Sequence, residues 1–348
     1  MNARLDILSI GMVTAVGLDA PSSCAAMRAR LDGFQETRFV GSDGAWLIGA
    51  PVPMPRNFVG EKRLAHMAAA TICEALEKVP EARGNTALML CLPEENRPGR
   101  PVRDDLGLLQ QVCEIADIGI DQHARIIAYG RPSGHVALGQ ARSLLDRGTV
   151  PFVIIAGVDS YLTSDAVAHY VARDRLLTAD NPDGFIPGEA AAAVLCAHSV
   201  GGGFQLFGLG LTRDPAFIHN TADLPFRGDG MTEAYRTALD ETGIEMNQLG
   251  YRVADLIGES YWFKQTALAS LRLLRGRHEF QDLWSAAESL GNVGAAAVPM
   301  MIGMAYSAAR KGYAAGNPVL IEASSDSGAC GAAVFAFGRT DDRLRKWT

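Results

Sequence analysis

Apolar positions along the chain recur with two different periods. Residues 5–17 (LDILSIGMVTAVG) form a leucine- and isoleucine-rich run that closes on a glycine turn, which predicts a strand. Over 62–78 (KRLAHMAAATICEALEK), Leu64, Met67, Ala68, Ile72 and Leu76 share one face at helical spacing. The stretch 141–160 (ARSLLDRGTVPFVIIAGVDS) reads as helix, glycine stop, β-branched strand and a turn carrying Asp159-Ser160. Residues 305–327 (AYSAARKGYAAGNPVLIEASSDS) repeat that order and end in Asp326-Ser327, almost half a chain length later. Each is followed by a glycine-led strand of small residues, GEAAAAVLCA at 188–197 and GAAVFAFG at 331–338. GGGFQLFGLGLTRDP at 201–215 opens the second half as 5–17 opens the first. A helix follows at 231–243, with Met231, Ala234, Tyr235, Ala238 and Leu239 on its apolar face and a glycine stop. Strands alternating with helices in this way predict α/β layers with parallel strands buried on both faces.

Composition narrows the function classes. The 348 residues are 48% hydrophobic, enough for a large core, and the 32 basic against 39 acidic residues give a formal charge of −7. No lysine- or arginine-rich run follows a phosphate backbone, so nucleic acid is not an expected partner. The six cysteines (Cys24, Cys73, Cys91, Cys113, Cys196 and Cys330) lack CxxC spacing and sit among small apolar residues, as reduced buried thiols do; no zinc site is expected. The glycine run at 201–203 lacks the GxxxxGK[ST] lysine and opens no helix, so it is no phosphate loop. The N-terminus MNARLDILSIGMVTAVG is too weakly apolar and too glycine-broken for a signal peptide, and no apolar run of about 18 residues appears. The expectation is a cytoplasmic protein with no membrane segment and no cofactor.

Several motifs carry a family resemblance. DNPDGFIPGEAAAAVL (180–195) is similar to the D-x-x-x-DGF-x-x-GEGA segment of the β-ketoacyl-ACP synthases of the thiolase superfamily. ILSIGMVTAVG near the start, AYRTALDETGIEMNQLGYRVAD (234–255), SLGNVGAAA (289–297) and SSDSGACGAA (324–333) resemble further segments of that family in the same order. The resemblance spans nearly the whole chain. It implies a thiolase-like α/β fold of two similar halves, 1–200 and 201–348, in a layered αβαβα arrangement, with dimers formed through strands of the first half. It also implies a cysteine at the N-terminus of a buried helix, where oriented N–H groups activate the thiol, and two histidines that polarise the thioester carbonyl. The chain is shorter than typical members, and the missing residues would come from loops that cap the acyl pocket.

The frame for the cysteine is YGRPSGHVALGQA (129–141), which contains none. Counting back from Gly148 puts the nucleophile position on Arg131, whereas aligning on His135 puts it on Gly130. The histidine positions fall on Asp255 in VADLIGES and on Glu288 in AESLGNVG. Neither glycine nor arginine attacks a thioester, and a carboxylate replaces an imidazole donor only if burial keeps it protonated. Ser133 is either a helix N-cap, with His135 packed on the helix flank, or a substitute nucleophile. Cys330 is either a small buried hydrophobe or an alternative thiol. Asp255, Glu259 and Glu288 are either separately solvated or paired groups, or a carboxylate set for acid–base work or an oxygen-rich metal site.

Glycines and acids of the frame persist around these losses, including Gly157, Asp159, Gly188, Glu189, Gly294 and Gly331. Scaffold kept with chemistry erased points to a catalytically inactive β-ketoacyl-synthase-like protein that binds another protein as homodimer, heterodimer half or adaptor. The family resemblance extends to inactive partner subunits and to stand-alone proteins of bacterial biosynthetic or specialised secretion clusters. Tyr261, Trp262 and Phe263 in LIGESYWFKQ (256–265) are the candidate partner contact, because three successive aromatics cannot all face a core. The other readings are an acyl-thioester transferase or hydrolase using Ser133 or Cys330, and an acyl-binding module.

Overall fold

The computed structural model describes residues 4–42, 44–219, 223–276 and 281–338; the first three residues of the N-terminal stretch read above lie outside them. The first half contains β1 (Leu5–Val13), α1 (Ala20–Arg28), a hairpin of β2 (Gln35–Val40) and β3 (Trp46–Gly49), α2 (Gly60–Glu77), β4 (Thr86–Cys91), α3 (Asp105–Ala116), β5 (Arg125–Ile127), α4 (Ser133–Asp146), β6 (Phe152–Ser160), α5 (Ser164–Val171) and β7 (Glu189–His198). The second contains β8 (Phe204–Arg213), α6 (Asp229–Thr242), β9 (Tyr251–Ala254), α7 (Ser260–Leu273), β10 (Asp282–Trp284), the single turn α8 (Ala287–Leu290), α9 (Ala297–Lys311), β11 (Val319–Ser324) and β12 (Ala329–Phe337).

Ten strands run in the order β10-β9-β11-β12-β8-β1-β7-β6-β4-β5. Within each half the five sheet strands have the same order and sense. β4 lies parallel between β5 and β6, and β9 lies parallel between β10 and β11; the remaining two strands of each half pair antiparallel. The halves join at one corner, where Leu5, Asp6 and Ile7 of β1 pair with Leu206, Gln205 and Phe204 of β8. The repeat seen in the sequence is thus a repeat of topology.

Two helices fill the space between the two five-stranded halves of the sheet. α4 packs on β4, β6 and β7 on one side and on β8 and β12 on the other, and α9 likewise touches strands of both halves. Every residue of α9 from 297 to 308 is buried, including Pro299, whose missing N–H costs nothing in a first helical turn. A helix apolar all round belongs between layers, and Arg310, Lys311 and the left-handed Gly312 close it where its carbonyls reach solvent. α2 and α3 cover the outer face of the first sheet, and α6 with α7 the outer face of the second, giving the layered αβαβα arrangement. All six cysteines are free thiols and five of them are buried. Among the described residues no helix is long and apolar enough to cross a membrane.

The segment 256–265 enters helix α7 at Ser260, and the buried side of that helix carries Trp262, Gln265, Thr266 and Ala269. Beneath it, Glu322 of β11 is buried, with one oxygen accepting from the Thr266 hydroxyl and Oε2 unpartnered. Burial pushes its carboxyl up from 4.5 to about 8. The unfolded chain releases this proton near its ordinary value while the fold retains it, so unfolding releases a proton between those two pH values. Stability should therefore fall with rising pH in that window, by about 1.4 kcal/mol per unit for one proton. Denaturant titrations at pH 5 and pH 8 should show this fall in the parent and a shallower one in Glu322→Gln.

Candidate functional site

The loop between β5 and α4 turns sharply at Gly130, whose φ of +65° lies in the left-handed region. Its N–H reaches Leu92 O just beyond β4, and its carbonyl accepts from Ser133 at the start of α4. A Cβ on Gly130 would stand 2.2 Å from the Glu94 carboxyl carbon. The Glu94 carboxyl therefore fills the room a side chain at 130 would need. Burial raises that group to about 7, against the pull of Arg97, and the nearby charge of Asp326 raises it further.

Arg131, the next residue, is only 2% exposed. Its Nη1 lies 3.2 Å from Asp255 Oδ2, its Nη2 lies 3.5 Å from Asp326 Oδ1, and its guanidinium stacks 3.8 Å above the Trp262 indole. Asp326 in turn pairs with Arg175 at 2.5 Å. Arg175 forks onto Glu259 with Nε–Oε1 and Nη2–Oε2 distances of 2.6 and 2.7 Å, and Glu259 Oε2 accepts from Trp262 Nε1 at 2.9 Å. The chain of contacts closes on itself: Arg131, Asp326, Arg175, Glu259, Trp262 and back to Arg131.

Electrostatics follow from that closure. Two guanidinium groups face three carboxylates, counting Asp255. Burial raises Asp255, with Arg131 opposing. Asp326 moves the other way: although burial opposes it, the bonds and charges of His219, Arg175 and Arg131 hold it well below the ordinary carboxylate range. Both aspartates of the sequence repeat accept from arginines, although Asp159-Ser160 ends strand β6 and is no turn: Asp159 binds Arg97 at 2.7 Å and takes the Ala295 N–H at 3.0 Å.

The positions singled out in the sequence separate here. Gly130, Arg131 and Asp255 come together, as do Glu259 and Trp262. Glu288 does not join them: it is exposed on α8 and lines a separate cavity between α1 and α9, whereas Ser289 and Asn292 just after it are buried. The three acids form no carboxylate set, because Asp255 and Glu259 each answer an arginine, and among the described residues no group of three metal-ligand side chains assembles. Trp262 is 2% exposed, which removes it as a partner contact; Tyr261 is half-buried with its hydroxyl on Ala216 O, and Phe263 alone stands out at 48%.

Ser133 is not the N-cap, a place held by Pro132; its Oγ accepts from Tyr129 N and contacts Leu92 O, pinning the loop. His135 points to Ile321 O, and burial lowers it to about 4, so it stays neutral and faces away from that serine. Cys330 is buried, and burial pushes its thiol far up. Glu94, Arg97 and Arg175 were not found from the sequence, because Arg175 sits in the charged run Arg173-Asp174-Arg175 and nothing local marks it as buried.

No protein-family model matches the chain. Over 137 residues it is 28% identical to 3-oxoacyl-[acyl-carrier-protein] synthase 2 of Staphylococcus aureus, a match covering 34% of this chain and 33% of that protein's length. Among solved structures, the ishigamide ketosynthase/chain length factor superposes with a TM-score of 0.79 at 15% identity, over 97% of this chain and all of the other. A ketosynthase in complex with its chain length factor from Xenorhabdus doucetiae gives 0.74 at 14% identity, over 97% and 98%. The chain has the thiolase-like fold of the ketosynthases.

Removing one partner of a buried ion pair strands the other. Arg131→Met should cost about 3–5 kcal/mol in urea unfolding. Arg131→Met with Asp255→Leu should recover a good part of it, and a double variant no better than the single would show that Asp255 is not the group left stranded.

Proposed function

We propose that this chain is a non-condensing ketosynthase-fold subunit that acts in the cytoplasm by pairing with a related, active ketosynthase. The observation that carries the reading is the filling of the elbow. A thioester carbonyl must approach the end of α4, and there the Glu94 carboxyl takes the room beside Gly130 while Arg131 is locked between two aspartates and an indole. No thiol stands at the elbow, and the one histidine on α4 is neutral and turned toward β11.

Support for a paired state comes from the sheet. Among the described residues β5 is the edge strand of the first half, pairing only with β4, and it leads straight into the elbow. Exposed Tyr129 and Ile120 flank it. An edge strand with apolar neighbours invites another strand beside it. A related subunit offers the matching edge, and one of the superposable structures is a ketosynthase in complex with its chain length factor.

The reading of the chain as an acyl-thioester transferase or hydrolase finds less support, because Ser133 has no adjacent base and the Cys330 thiol is held protonated by burial. Coexpression with a ketosynthase from the same genome should give a one-to-one complex on size exclusion, lost in the β5 variant Ile126→Pro. A homodimer that survives in the presence of that ketosynthase would contradict the pairing. An acyl adduct on Ser133 or Cys330 in intact-mass spectra after acyl-CoA treatment would contradict the absence of chemistry.

A further inference from the structure

A cavity of about 270 Å³ lies between α1 and α9, apart from the arginine ring. Cys24, Met27 and Met304 are its buried floor, and Trp284 and Tyr313 stand as partly exposed walls. Such a floor is soft and apolar, suited to a hydrocarbon or aryl body. At about 30 Å³ per water, the volume corresponds to roughly nine water-sized positions, which limits the occupant to a small molecule.

The rim supplies the charge. Arg28 and Arg30 both border the cavity. Arg28 lies 4.2 Å over the Tyr313 ring, and among the described residues neither guanidinium has a hydrogen bond or a carboxylate partner. Arg30 sits just past the end of α1 with a φ of +57°, a left-handed backbone unusual for a residue with a side chain. Both residues are exposed, so the two guanidinium groups are open to a ligand at the mouth of the cavity. Glu288 on the opposite rim is the single acid there. Two positive charges and one negative leave a net of one, which a monoanion neutralises and a dianion would overshoot against Glu288.

We propose that this cavity binds a small apolar monocarboxylate, its body on the methionine floor and its carboxylate on Arg28 and Arg30. The site is independent of the elbow and of the pairing proposed above. Trp284 gives it a built-in fluorescence reporter.

Titration of the full chain with phenylacetate should give saturable quenching, with octanoate testing whether an alkyl body serves as well. The neutral phenylacetamide should bind at least tenfold more weakly. Arg28→Met with Arg30→Met should lose the same factor, and Met304→Trp, which fills the floor, should abolish binding while calorimetry confirms a cooperative fold. Because Trp284→Phe removes the reporter, calorimetric titration of that variant should still detect binding. No saturable binding at millimolar phenylacetate or octanoate overturns the proposal. So does equal affinity for the amide, or binding that survives Met304→Trp.

Discussion

The closed ring of Arg131, Asp326, Arg175, Glu259 and Trp262 joins the two halves of the molecule as well as filling its cleft. Both arginines come from the first half, Arg131 at the elbow before α4 and Arg175 after α5. Every acceptor and the indole come from the second half, from the ends of β9 and β11 and the start of α7. Each guanidinium reaches across the junction that the duplicated topology creates. Forked pairing and stacking suit arginine, whose planar group offers several donors at fixed angles; a lysine could not hold the same contacts at once.

Burying such a set costs desolvation, and ion pairs of this kind contribute little net stability against a well-packed apolar alternative. What they do is make every other arrangement worse, since shifting either half leaves a buried charge without its partner. The same reasoning accounts for Glu94. Set beside a ring with an excess of carboxylates, it is held near 7 by burial and by the charge of Asp326 and Asp159, and its side chain lies where a residue at 130 would project. A cleft built this way is a fastening, although Arg131 Nη2 and Glu94 Oε2 are buried without a hydrogen bond, and α4 at the end of the 129–141 frame packs on strands of both halves.

Much of the fold was legible because it rests on local periodicity. The run 62–78 became α2 within two residues, 231–243 became α6 with Gly243 closing it, and the small-residue strands became β7 and β12. The Asp-Ser repeat marked a repeat of topology: Asp159 lies at the end of β6 and Asp326 two residues past β11, and both accept from arginines. Legibility failed where the answer depends on contacts distant in sequence. Nothing near Arg131 announces Asp326, and nothing near Arg175 announces Glu259. The triplet Tyr261-Trp262-Phe263 suggested a surface because its core-facing member needed a partner that lies 131 residues earlier in number, at Arg131. Glu288 stands apart from the ring for a related reason: its place on the exposed side of the single turn α8 depends on packing that its neighbours in sequence do not announce.

The central claim is that the ring couples the halves, and a double-mutant cycle tests it most directly. Arg175→Met, Glu259→Leu and the pair together would be compared by denaturant unfolding. The account predicts that the pair is less destabilised than the sum of the singles, by about 1–3 kcal/mol, because each single strands a buried charge that the double removes. Additivity within about 0.5 kcal/mol would contradict it, showing that the two groups fold independently of one another.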